Sequence, residues 1–497
     1  MRTLCGHNGL AKLRSGVHEV DDQTNSENAA EKIVTSNPED RTRWLKNPLV
    51  SFDPTRGAAV EDGGVVVAGK RIVERVERGA DPTHRIDEVV DLSGMVLLPG
   101  LINTHHHFYQ TLTRSFHTAL DKPLFPWLQS LYPVWAGLTE DMISVSTELA
   151  CAELLLSGCT TTVDHHYVFS PVLAHAIDRQ AEAAQRVGMR VVLTRGSMSL
   201  GESAGGLPPD LVVQDTQTIL ADSERLIQQW HDPEPHAMCQ IALAPCSPFS
   251  VTEQLMRDTA ALAHGYQVLL HTHLSETEDE NAFCLAQFGR RPVDHMAACD
   301  WLNERVWFAH GIHFTLAEMR RLGAAGCSVS HCPTSNMLLS SGICQAQQLE
   351  AAGVHVGLGV DGAASNDASN LIQEARQALL IQRLAKQANT AQDHSTVSHL
   401  DALRWATRGG AALLQRPELG SIDVGAAADI AVFALDEPRF MSSDDPLAAL
   451  VLCGAHKARH VMVAGEWRVF DEQLVTTDLD RLMGEHRQQA QELWQRA

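Results

Sequence analysis

A chain of 497 residues, 44% of them hydrophobic, can build a large core plus an accessory domain, which excludes an intrinsically disordered protein. Its 39 Lys and Arg against 61 Asp and Glu leave a net charge of −22; such a surface repels phosphates and anionic lipids, so neither a nucleic-acid nor a membrane partner is expected, and a small uncharged substrate suits it better. No apolar run is long enough to span a bilayer, residues 1–17 lack the apolar stretch of a signal peptide, and 11 scattered cysteines without a CxxC pair predict reduced thiols and a cytoplasmic protein.

Residues 1–42 read as a disordered extension: 21–28 are polar, and Ser36-Asn37-Pro38-Glu39-Asp40 is a cluster of helix and strand breakers. Short β patterns follow, with a hairpin over 64–73 turning near Gly69 and a strand near Val89–Leu92. A similar pattern returns at 428–433 and 460–470. The flanks 43–96 and 415–497 are therefore expected to pair into one small β-sandwich.

Between them, over 97–414, strand candidates alternate with amphipathic helices. The strands are expected at 96–102, 160–163, 190–194, 240–244, 268–273, 306–309, 328–330 and 356–359. The helices are expected at 142–156, 173–186, 216–230, 252–263 and 292–303. Eight such repeats predict an α/β fold, a (β/α)8 TIM barrel whose active site lies at the C-terminal strand ends.

Histidines and carboxylates collect at those ends. In His105-His106-His107, alternation along a strand sends His105 and His107 to one face and His106 to the other, which makes half a metal site. His271-Thr272-His273-Leu274-Ser275-Glu276 offers a further ligand with a carboxylate three residues on, a candidate general base. His310 ends a third apolar run, and Asp361 follows Gly357-Leu358-Gly359-Val360 at the last strand. Each has an ordinary reading too, as a capping Asp, a hydrogen-bonded core His or a solvated Glu. Their joint placement at four strand ends favours the metal. His165, His166 and His331 also fall at strand ends.

Pro-Gly-Leu-Ile-Asn-Thr-His-His-His, His-Leu-Ser-Glu, Ala-His-Gly and Gly-Val-Asp-Gly, in that order, resemble the amidohydrolase superfamily in its deaminase branch. The resemblance runs from about Arg43 to Phe470. It implies one Zn2+ per subunit, with Fe2+ as the alternative, held by His105, His107, His273 and Asp361. It implies Glu276 as proton shuttle, His310 as the group that polarises the attacked position, and Asp361 as the later proton donor to leaving ammonia. A single metal agrees with the absence of any lysine between Lys122 and Lys386, since two-metal relatives bridge their ions with a modified lysine from a middle strand.

Cytidine-type zinc chemistry needs Pro-Cys-x-x-Cys, and Pro245-Cys246-Ser247-Pro248-Phe249 lacks the second cysteine.

Within the superfamily, 43–49 and 105–114 look most like the 8-oxoguanine deaminases. That implies hydrolytic deamination of an aminopurine, with a triazine aminohydrolase or another aminoheterocycle deaminase as the alternative. A non-catalytic assembly protein of the same fold is the remaining reading, disfavoured because every ligand is present. Gln110, whose carboxamide both donates and accepts, is a candidate contact to the purine edge. Cys246 and Trp127 are further candidates, the latter from an aromatic segment over 116–135 that reads equally as a lid or as core. A homo-oligomer is expected.

Overall fold

The computed structural model describes residues 41–388 and 396–496, so all but the last two residues of the expected extension lie outside the described residues. Eight parallel strands close a barrel: β1 (Leu101–Asn103), β2 (Cys159–His166), β3 (Arg190–Ser197), β4 (Cys239–Pro245), β5 (Leu270–Leu274), β6 (Val306–His310), β7 (Ser328–His331) and β8 (His355–Leu358). The ring closes where Leu358 of β8 aligns with Asn103 of β1. Helices cover the outside, among them Glu140–Leu156, Thr216–Trp230 and Leu371–Ala388. Strands covered on both faces are buried almost throughout.

Two further sheets flank the barrel. One has four strands, in the order Arg71–Val76, Gly64–Ala68, Thr42–Lys46 and Glu88–Asp91. The other has seven and mixes the two ends of the chain, with Ile430–Ala434 antiparallel to Met95–Pro99. Leu45, Val65 and Val67 of the first sheet pack with Leu97, Ile430 and Val432 of the second in a shared apolar core.

The strand expected over 96–102 is two strands. Met95–Pro99 belongs to the flanking sheet and β1 to the barrel, and Gly100 joins them. A Cβ at Gly100 would sit 2.1 Å from the Thr160 hydroxyl, so the chain can cross from one body to the other only where no side chain stands. The run is apolar on both sides of the crossing, and its pattern gives no sign of it. The helix expected over 292–303 is also shorter, Pro292–Ala298, and Asp300 turns the chain at φ +63°.

Two contacts bind the bodies together. Arg190, at the start of β3, makes a fully buried two-pronged ion pair with Asp429 beside Ile430–Ala434, both N–O distances 3.0 Å. The C-terminal helix Leu479–Arg496 reaches the turn Phe108–Thr113: the Trp494 indole donates to the Leu112 carbonyl at 2.8 Å, and His486 meets the Thr111 hydroxyl at 3.0 Å. No helix among the described residues is long and apolar enough to cross a membrane. The ten cysteines among them are all free.

Candidate metal centre and active site

The strand ends bring His105, His107, His273, His310 and Asp361 to the mouth of the barrel, all buried. Their hydrogen bonds fix which ring nitrogens carry protons. His107 Nδ1 donates to the His165 carbonyl at 2.6 Å, and His273 Nδ1 donates to the Cys246 carbonyl at 2.7 Å. Burial holds His273 well below its ordinary pKa, so the ring is neutral and its Nε2 carries a lone pair. His105 Nδ1 faces His271 Nε2 at 2.8 Å, while His271 Nδ1 donates to the Trp307 carbonyl at 3.0 Å. His271 thus accepts, His105 donates, and His105 Nε2 is a lone pair as well.

Those Nε2 atoms converge. His107 Nε2 and His273 Nε2 are 3.2 Å apart, and Asp361 Oδ1 lies 3.2 Å from His107 Nε2 and 3.4 Å from His105 Nε2. Lone pairs and a carboxylate oxygen at such range repel one another without a cation among them. His105 Nε2 has no hydrogen-bond partner at all. Three imidazoles and one carboxylate are a donor set that fits a divalent transition metal, and the backbone carbonyls behind two of the imidazoles orient the ligands.

His165 joins the cluster with His105, His107 and His273. Its Nε2 donates to the Ala244 carbonyl at 2.9 Å, its Nδ1 is unpartnered, and its ring stacks on His273 with centroids 4.7 Å apart. The sequence marks it only as a strand-end residue. His106 points elsewhere, its Nδ1 accepting from the His107 amide at 2.7 Å. His166 and His331 are buried with neither ring nitrogen partnered.

Beside the ligands, Glu276 Oε2 is 3.4 Å from His310 Nε2, and Glu276 Oε1 accepts from the Ser341 hydroxyl at 3.4 Å. Burial pushes the Glu276 carboxyl above its ordinary range, which makes it a better proton acceptor than an exposed carboxylate. His310 is held by Asn336 Oδ1 at 2.9 Å and faces Asp361 Oδ2 at 3.9 Å. Burial opposes its charge, but Glu276 and Asp361 outweigh burial and raise its pKa. Asn336 stands in the short helix Pro333–Leu338 that follows β7, and Ser341 lies just beyond that helix. His310 (φ +72°) and Asp361 (φ +63°) both hold left-handed backbone, a strained conformation for residues with side chains, as is common where function fixes geometry.

A pocket opens on this cluster, lined by Gln110, Trp127, Tyr167, Cys246 and Phe249 as well as by His107, Glu276 and Asp361. The three candidate substrate contacts thus line one pocket. Gln110 Oε1 accepts from the Ala364 amide at 3.4 Å, and its buried Nε2 has no partner. Of the aromatic segment, Trp127 lines the pocket, Tyr132 and Trp135 are core, and Phe125 packs on Phe249. Burial raises the Cys246 thiol to about 12, so it is a neutral thiol rather than a nucleophile.

The family model for the amidohydrolase family matches residues 96–468. An 8-oxoguanine deaminase of Pseudomonas aeruginosa is 54% identical over 450 residues, covering 90% of this chain and 98% of that protein. Hydroxydechloroatrazine ethylaminohydrolase of Pseudomonas sp. (strain ADP) is 42% identical over 385 residues, covering 76% of this chain and 78% of that protein. Among solved structures, atrazine chlorohydrolase of Arthrobacter aurescens TC1 complexed with zinc superposes with a TM-score of 0.84 at 31% identity, covering 90% of this chain and 100% of that one.

Proposed function

This chain belongs to the amidohydrolase family and is a metal-dependent hydrolase of C–N bonds, and from that premise we propose that it deaminates 8-oxoguanine, releasing urate and ammonia. The observation that carries the reading is the convergence of three imidazole lone pairs and Asp361 next to a raised-pKa carboxylate, Glu276. The 54% identity to an 8-oxoguanine deaminase supports the choice of ring.

His105, His107, His273 and Asp361 hold one zinc, which supplies the Lewis acidity that makes water a nucleophile near neutral pH. Glu276 accepts a proton from the attacking water and delivers it to a ring nitrogen. His310 stabilises the charge that develops as the C–N carbon becomes tetrahedral. Asp361 takes the second proton of that water from the newly added oxygen and passes it to the departing amine, which leaves as ammonia as the C–N bond breaks and the amine-bearing carbon becomes a carbonyl. Gln110, Cys246 and Trp127 position the flat ring, which matches a pocket with aromatic walls and few charges.

The same reading assigns 97–414 to the catalytic barrel and the two flanks to the composite sandwich. It places the enzyme in the cytoplasm, supported by the unpaired cysteines, acting on an uncharged free base, supported by the net charge of −22, and takes it as a homo-oligomer.

Ammonia release by the zinc-loaded protein, compared across 8-oxoguanine, guanine and hydroxyatrazine, tests the substrate. Fast turnover of 8-oxoguanine, lost in Glu276→Gln, is expected. Preference for hydroxyatrazine instead would transfer the enzyme to triazine chemistry with the same residues in the same roles.

A further inference from the structure

Three buried carboxylates near the site take no part in that chemistry, and none of them lines the pocket: Asp164, Glu280 and Glu374. Each ties down the backbone or a side chain of a different loop at the barrel mouth. Asp164 accepts from the Phe108 amide at 2.6 Å and the Gln180 side chain at 2.7 Å, bracing the turn that starts beside His107. Glu374 accepts from the Thr334 amide and hydroxyl at 3.2 and 2.6 Å and from the Asn366 side chain at 2.8 Å, joining the loops after β7 and β8.

Glu280 has the most consequential position. Its Oε1 accepts from the Ser275 amide at 2.8 Å and its Oε2 from the Glu276 amide at 3.0 Å. Ser275 is in the left-handed region, φ +53°, a conformation that costs a non-glycine residue about 1 kcal/mol or more. Its carbonyl in turn accepts from the Ile312 and His313 amides, both at 2.9 Å, which locks the loop after β5 to the loop that follows His310. Glu280 stands in the first turn of the helix Glu278–Phe288, capped by the Thr277 side chain, where a carboxylate is favoured by the helix dipole.

We propose that Glu280 is a positioning residue for Glu276: it accepts from two successive amides at once, holds Ser275 in its left-handed turn, and so aims the Glu276 carboxylate at His310. The inference rests on the reading of Glu276 as proton shuttle. The chemistry of Glu280 is specific. A carboxylate offers two acceptors to two N–H groups, whereas a carboxamide turns a donor toward one of them and leaves a buried amide unpaired. That Asp164 and Glu374 make the same kind of contact at two other loops argues that these carboxylates serve geometry.

The test compares Glu280→Gln with wild type and with Glu276→Gln, all zinc-loaded. The readouts are zinc content, kcat and KM with 8-oxoguanine, and hydrogen–deuterium exchange of the Ser275 and Glu276 amides. Glu280→Gln is expected to keep its zinc, to hold KM within about twofold, to lose about 10- to 100-fold in kcat, the cost of misplacing a group without removing it, and to exchange those amides faster. Unchanged kcat and unchanged exchange, in a background where Glu276→Gln is inactive, would overturn the proposal. Full activity in Glu276→Gln would instead overturn the shuttle reading, while the exchange rates still report whether Glu280 holds the turn. If Glu280→Gln does not fold, Glu280→Asp decides the matter: its shorter carboxylate keeps the charge, and a fall in kcat with zinc retained is the expected result, whereas wild-type kcat and exchange would refute it.

Discussion

His271 and His105 share a proton whose position is set by a third group: the Trp307 carbonyl can only accept, so His271 donates to it, and His271 Nε2 then accepts from His105 Nδ1 at 2.8 Å. The His271 ring is further held by stacking on the Trp307 indole, centroids 4.3 Å apart. Replacing the acceptor with a ring of similar shape, His271→Phe, is expected to weaken zinc binding by about 10- to 100-fold. His271→Gln, which offers both an acceptor and a donor, is expected to retain most of the affinity. Competition with a chromogenic chelator measures both.

Gln110 offers a buried, unpartnered amide donor at the pocket wall. Removing it in Gln110→Ala is expected to raise KM for 8-oxoguanine about tenfold, the value of one hydrogen bond of about 1.4 kcal/mol. Steady-state kinetics check this, and a loss confined to kcat would contradict a binding role.

His331 is buried with neither ring nitrogen paired, and burial pushes its pKa down to about 3 from an ordinary 6.5. The folded protein therefore keeps it neutral where the unfolded chain takes up a proton. Stability from this group is complete above pH 6.5 and is lost as pH falls below it, at about 1.4 kcal/mol per pH unit. His331→Phe removes that term. In denaturant unfolding at pH 7.5 and 5.5, the variant is expected to lose about 1 kcal/mol less than wild type on acidification. Equal losses would place the proton elsewhere.

Arg190 and Asp429 pair with essentially no exposure to water. Asp429→Ala strands a buried guanidinium and is expected to cost about 3–5 kcal/mol. The double variant Arg190→Met, Asp429→Leu removes both charges and is expected to cost less than the sum of the single changes. Urea unfolding of wild type, Arg190→Met, Asp429→Leu and the double variant gives the coupling.

Much of the candidate site can be read from the sequence because its proposed ligands stand at strand ends, and strand ends are where a parallel barrel exposes side chains. His105, His107, His273 and Asp361 announce themselves in this way. His165 carries the same strand-end signature and His271 stands inside β5, but their contacts depend on what stands across the barrel, and only the register of neighbouring strands supplies that. Glu280 looks like an ordinary acidic residue in the first turn of a helix. The Gly100 crossing is hidden because apolar residues stand on both sides of it, and the docking of Leu479–Arg496 on the substrate turn joins segments more than 350 positions apart.

The pairing of Met95–Pro99 with Ile430–Ala434 also bears on synthesis. The strand that leads into β1 gains this partner only after more than 300 further residues have been made. The turn that holds Gln110 receives its brace from Trp494 later still. A ribosome-bound chain can collect its helices early, but it carries an open sheet edge for most of its translation, an invitation to association with other nascent chains. The turn beside the pocket thus waits for a segment more than 350 positions downstream, and a chain cut before Trp494 would hold the strand-end histidines and Asp361 with this turn unsupported.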